Sequence, residues 1–304
     1  SKHKALSYGH AEKLEKQLES EIADLMKKAQ ETDAADEDTG MSIPEELSIR
    51  KDRLEAIAIA KAEIEARVAE RYKREKEEYD TKVEKRKAKE EESGKKPKGR
   101  TPKAPNPEPL AKDQVNLTDE ESRIMPTSGK GFDQCYNAQA SVDIETMLIV
   151  GAHVSAASND KREIDPALDE LDKLPEEVAK IEDLLADTGY QSKHNVMSCV
   201  GRNINPLIAE KREKHHPSPE ERFQEPPLLK EGATDVEKAS HRLKTQEGKA
   251  LYAKRKSTVE PVFGIIKHVM GFRQFMLRGL ENVSGEWDLV ALAWNLKRLH
   301  KLTA

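Results

Sequence analysis

Glu260 lies in the segment Tyr252–Lys267, YAKRKSTVEPVFGIIK, whose remaining residues are mostly basic or apolar. Val259, Val262, Phe263, Ile266 and Met270 recur every three to four residues, which predicts a helix. Lys256, Glu260 and Lys267 fall on or beside a second stripe of that helix. One carboxylate flanked by cations suits a metal-bound acid next to a phosphate backbone. The same spacing also describes an ordinary Lys–Glu pair on a solvated helix face. A second acid, Asp187, ends the apolar run in IEDLLADTGY, with Thr188 and Gly189 following as a turn. An aspartate exposed at the C-terminal end of a strand is a common metal-ligand position in α/β sheets. A helix N-cap or turn aspartate is the alternative.

These two acids need strands and helices to place them, and the patterning predicts an alternation of both. Tyr136–Asp143 alternates and Met147–Val154 is mostly apolar, so the pair predicts a β-hairpin connected through residues 144–146. A helix is expected over Asp165–Leu174, then the Asp187 strand, a helix near Lys193–Val200 and a short strand at Ile204–Ala209. Residues 210–238 are polar and proline-containing and predict a loop. A helix over Val236–Met270, interrupted near Gly248, would carry Glu260. A last helix, Glu286–Leu302, would turn Trp287, Val290, Ala291, Trp294 and Leu299 inward, making Trp294 a core residue and not a base-stacking one.

The front of the chain differs. Leu14, Leu18, Ile22, Leu25 and Met26 form a stripe on a first helix, which should end before the acidic run ETDAADEDTG. Ser42 predicts an N-cap for a second helix with Pro44, Glu45 and Glu46 in its first turn. Leu54, Ile57, Ile64, Val68, Tyr72, Tyr79 and Val83 carry it to about Glu92, roughly 70 Å at 1.5 Å per residue. The two helices predict an antiparallel hairpin, with a free-standing coiled coil as the alternative. The proline- and lysine-rich stretch that follows predicts a connector. The expected organisation is therefore a helical hairpin over 1–92, a linker over 93–115 and a core over 116–304.

The motifs AD-x-GY and VEPVFG-x-IK, followed by GFRQFMLRGLENVSGEW and LAWNLKRL, resemble the DDE transposases of bacterial insertion sequences. GFDQCYNAQASVD and the opening SKHKALSYGH resemble the same family. The resemblance implies an α/β fold: an RNase H-like mixed sheet flanked by helices, with the long N-terminal helical hairpin as an insertion. It implies two magnesium ions, replaceable by manganese, held by two Asp and one Glu. Asp187 would be the second acid and Glu260 the third. Lys267 matches the family's basic residue seven positions after the Glu, and Tyr252 and Arg255 match the Tyr and Arg before it. Arg255 stands one residue further from Glu260 than is commonest, so Lys256 shares that candidate role. Arg273 and Arg278 would contact DNA or cap the helix end.

By the same resemblance the activity is phosphodiester hydrolysis and strand transfer on element ends and target DNA. A homo-oligomer in the bacterial cytoplasm is expected, with no small-molecule substrate. Relatives place an Asp-bearing strand just before a segment like SKHKALSYGH, and no core strand is legible before Asn116. The expectation is thus an N-terminally truncated chain that lacks the first catalytic Asp and is inactive alone. Asp119 and Asp143 are the available substitutes, in competition with turn-capping roles. The alternative function is a remnant that binds DNA or associates with the full-length enzyme.

Composition sets bounds. With 36% charged and only 4% aromatic residues, the core is smaller than 304 residues would suggest. Two cysteines, Cys135 and Cys199, are too few for a disulfide framework, and His215-His216 lacks metal-ligand spacing. No apolar run is long enough to span a bilayer. A net charge of −5 argues against a generally basic DNA-binding protein but leaves room for a local basic groove.

Overall fold

The computed structural model of this chain describes residues 4–35, 43–94, 99–127, 131–175, 177, 180–210, 218 and 224–304. The backbone divides into two units, Ser1–Glu120 and Glu121–Ala304.

In the first unit, β1 (Ala5–Ser7) pairs antiparallel with β2 (Gln114–Asn116), Leu6 lying opposite Val115. Between them run α1 (Tyr8–Ala35) and α2 (Ile43–Ser93). These two strands were not legible in the sequence, since three residues are too few to show an alternation. The helices are antiparallel. Tyr8 donates to Glu65 at 2.8 Å, Lys61 to Glu15 at 2.7 Å and Arg50 to Glu21 at 2.9 Å, so the partners descend along α2 as α1 advances. Leu18 of α1 and Ile57, Ala60, Ile64 and Val68 of α2 close over Leu6 and Val115. Beyond Val68, Tyr72, Tyr79 and Val83 are only half-buried. Helix α1 continues into the acidic run expected to end it, because nothing before Gly40 breaks a helix. Ser42, the expected cap of α2, lies outside the described residues. The chain after α2 returns along it: Arg86 donates to the Gly99 and Arg100 carbonyls, and Arg71 makes a two-pronged bond to Asp113, both arms 2.9 Å.

Among the described residues, the second unit contains three two-stranded ladders. β3 (Arg123–Pro126) and β4 (Phe132–Cys135) pair antiparallel, as do β5 (Asn137–Val142) and β6 (Ile149–Ser155). β7 (Asp183–Ala186) and β8 (Asn205–Ile208) are parallel and joined by α4 (Lys193–Gly201). A parallel pair needs such a crossover. The β5–β6 hairpin matches its expected place, its turn closed by Asp143, which accepts from the Thr146 amide at 2.8 Å. The β3–β4 hairpin was not foreseen. Helix α3 (Ile164–Leu171) packs on β6. Later come α5 (Asp235–Lys244), α6 (Gln246–His268) and α7 (Leu280–Thr303). The fold class is α/β, with mixed strand pairs flanked by helices.

Two differences have clear causes. The break in the Glu260 helix falls at Thr245, in extended conformation, whose hydroxyl caps Gly248. Gly248 is required for a different reason: a β-carbon there would be driven into the Arg242 carbonyl. Helix α7 starts well before Glu286 and turns Leu299 outward, because the β5–β6 layer covers only the side carrying Val283, Trp287, Ala291 and Trp294. Trp294 is core, as expected, and donates to the Met147 carbonyl at 2.8 Å. Among the described residues no helix is long and apolar enough to cross a membrane.

Candidate active site

Asp187 follows β7 directly, at the C-terminal end of a half-buried strand whose Ala186 joins the cluster formed with residues of α3, α4 and β8. It caps the short 3-10 turn Thr188–Tyr190, its Oδ1 accepting from the Gly189 amide at 2.7 Å. The strand-end position and the turn-capping role, alternatives in the sequence, are therefore held by one residue.

Sequence reasoning missed the polar network beside it. Asn137 and Gln139 lie on one face of β5, opposite Ser155 and His153 of β6. From β5, Asn137 Nδ2 and Gln139 Nε2 both donate to Asp160 Oδ1 at 2.9 Å. From β6, Ser155 Oγ donates to Glu163 Oε1 and His153 Nε2 meets Glu163 Oε2, each at 2.9 Å. Two cross-strand pairs thus hold two carboxylates from the turn at Asp160–Arg162 and its C-cap. Glu163 is buried. Tyr190 joins this network to the Asp187 turn by donating to Gln139 Oε1. Burial first, then the Asp160 and Asp187 charges, push its phenol well above the ordinary range. The usable signal was the alternation in YNAQASVD, which puts Asn137, Gln139 and Ser141 on one side of a strand whose other side is apolar.

Glu260 lies on α6, which packs against both β5 and β7. Its side chain is 59% exposed, and Arg255 Nη2 approaches Oε1 at 3.6 Å. Arg255 in turn lies over the Tyr252 ring, 5.7 Å from its centre. The ion pair is therefore made by Arg255, five residues back, while Lys256 is exposed on the next position. Pro261 follows Glu260 inside the helix and offers no N–H to the carbonyl one turn back. Lys267 extends over Phe263 at 5.8 Å from the ring centre. Arg273 donates to the Lys267 carbonyl at 3.3 Å, capping the end of α6. Arg278 is exposed just before α7.

The remaining candidates have other settings. Asp143 closes the β5–β6 turn. Burial pushes its carboxyl up, and the Thr146 bonds and turn amides outweigh that, leaving it below the usual range. Asp119 sits in the turn after β2, its amide donating to Asn116. Cys135 and Cys199 are not joined in a disulfide, and His215-His216 lies outside the described residues. Among the described residues, no three His, Cys, Asp or Glu side chains gather where one ion could be held. A divalent ion needs such an oxygen-rich set. The described residues by themselves therefore do not make up a complete divalent site.

A family model described as a transposase DDE domain matches residues 100–296, about two thirds of the chain. Neither the curated proteins nor the solved structures compared with the chain include a match.

Proposed function

This chain belongs to the transposase DDE domain family, and we propose that it acts on DNA through a surface built around Asp187 and Glu260. What supports this reading is the placement of α6. It lies against β5 and β7, carries Glu260 with Arg255 and Tyr252 beside it, and exposes Lys256 and Lys267 along the same helix. Arg255 orients the Glu260 carboxylate, and Lys256 and Lys267 hold phosphates without reading sequence. Asp187 and Glu260 supply two of the acids that DNA strand cleavage and strand transfer require in this family. Because no three acids gather at one point among the described residues, this chain by itself binds DNA and does not cut it at a useful rate. That same observation favours a second reading, in which the chain acts through DNA binding or association with a complete enzyme.

The test is incubation of the purified chain with supercoiled plasmid in magnesium or manganese, beside a binding titration at several salt concentrations. Salt-sensitive binding without nicking is expected. Metal-dependent nicking that disappears in Asp187→Asn would overturn the inactivity, and absence of binding at low salt would overturn the DNA-acting surface.

A further inference from the structure

The segment between α6 and α7 carries an exposed apolar tip on a fixed base. Met276 and Leu277 are exposed by 75% and 52%. Scattered exposed apolar side chains are ordinary on a protein surface. This pair differs in how its backbone is held. The Met276 amide donates to both carboxylate oxygens of Glu286, each at 3.0 Å, and the Leu277 amide donates to Glu286 Oε2 at 3.1 Å. Just before the tip, Phe275 packs edge-to-face with Phe272 and Tyr136, the ring centres 5.5 and 6.4 Å apart. Phe272 in turn lies 6.3 Å from the buried Trp287. Amides and rings thus tie the backbone to α7 and the core, while both side chains are left in solvent. Keeping such a tip in water is unfavourable, and insertion into a partner removes that cost.

We propose that Met276, with Leu277 beside it, is a wedge that enters DNA between stacked base pairs and opens one step. The proposal rests on the DNA-acting surface of α6 and names how that surface grips the duplex. Charge selects the occupant. From Pro261 to Leu280 the chain holds no acidic residue and carries Lys267, His268, Arg273 and Arg278, all exposed. Glu286 and Glu121 reach the segment from outside it, and each is bonded to its backbone amides, Glu121 accepting from Leu280 at 2.6 Å. An apolar tip with a cationic rim matches a duplex, whose apolar base faces lie between two rows of phosphates. Methionine and leucine are among the side chains that proteins insert between base steps. Continuity gives the same answer. Arg273 donates to the Lys267 carbonyl, so the segment starts from the end of α6 that carries a phosphate-holding lysine. Lys267 then holds a phosphate beside the step that Met276 opens.

The experiment is relaxation of a closed circular plasmid by a metal-independent topoisomerase in EDTA, with the full chain bound. Opening a base step unwinds the duplex. The plasmid should therefore keep a linking-number deficit that grows with the amount of chain bound and persists after the protein is stripped. Met276→Ser with Leu277→Ser should keep its circular dichroism and its salt slope of binding, because the phosphate contacts are untouched. The same variant should lose the linking deficit, and Met276→Leu should retain it. Binding without a deficit in the unaltered chain, or a deficit that survives the double serine variant, overturns the wedge and leaves the DNA-acting surface standing. Absence of binding at low salt removes that surface and the wedge with it. Capture of the chain by phosphatidylserine-containing vesicles, lost in the double serine variant while plasmid topology is unaffected, overturns DNA as the occupant.

Discussion

Asp160 and Asp187 meet across Gly189: a β-carbon on that glycine would lie 3.2 Å from Asp160 Oδ2 and 3.0 Å from Asp187 Oδ1. Two carboxylates from separate loops therefore share one small residue as their spacer. One is held by amides of β5, the other by the Gly189 amide itself.

Gly189→Ala should cost about 1 kcal/mol, because the added methyl presses on both acids and strains the Asp187 cap. Gly264→Ala, inside α6 with open space around it, should instead gain about 0.5–1 kcal/mol through helix propensity. Urea unfolding of the two variants side by side checks the opposite signs. Equal effects would mean that Gly189 is not confined by the acids.

Gly248→Ala carries a heavier cost. The methyl would collide with the Arg242 carbonyl, which is backbone and cannot rotate away. A loss of about 2–3 kcal/mol is expected, measured by the same unfolding series. It should separate α5 from α6 and raise amide exchange around Thr245.

Acid stability should depend on Asp113. Burial raises its carboxyl, but the Arg71 bonds and the Leu110 amide more than offset this, so its folded value lies below that of an unfolded aspartate. The stability it contributes is therefore present above about pH 4 and is lost as pH falls through the depressed folded value. Asp113→Asn should flatten that acid limb of stability against pH while lowering stability at neutral pH. An unchanged acid limb would show that Asp113 does not carry it.

Lys267→Ala should weaken DNA binding evenly across sequences and reduce the log–log salt slope by about 0.9, as for one phosphate contact. Lys256→Ala should do the same. Arg273→Ala should leave the slope unchanged and lower helix stability, because its guanidinium caps α6. Titrations at several salt concentrations separate the two kinds of loss.

Thiol chemistry should distinguish the cysteines. Burial, then the nearby Asp165, pushes Cys199 up to about 11, and the residue is fully enclosed between α3 and α4. Cys135 is half-buried on β4. Alkylation at neutral pH should label Cys135 first, with Cys199 reacting only on unfolding. Mass spectrometry of the labelled peptides reads the order.

Local periodicity made much of the fold legible. The three-to-four spacing of Leu14, Leu18, Ile57, Ile64 and Val68 showed the helical hairpin, since a helix repeats its buried face at a fixed interval. Alternation showed the β5–β6 pair, and the end of an apolar run placed Asp187. What failed was short or two-sided. β1, β2, β3 and β4 have three or four residues each, too few for any period to emerge. In α7, apolar residues line both sides, and sequence has no means of telling which side a sheet will cover.

The chain's own order of residues determined where helices and strands form, that Asp187 ends a strand, and that Glu260 stands on a helix among cations. These follow from interactions within a few residues of one another. Tertiary structure alone decided that Asp160 comes to rest beside Asp187, that Arg255 and not Lys256 meets Glu260, and that four leucines of α7 face outward. Each of those depends on which distant segments pack together, and packing is settled by shape and burial across the whole unit, which no local spacing records.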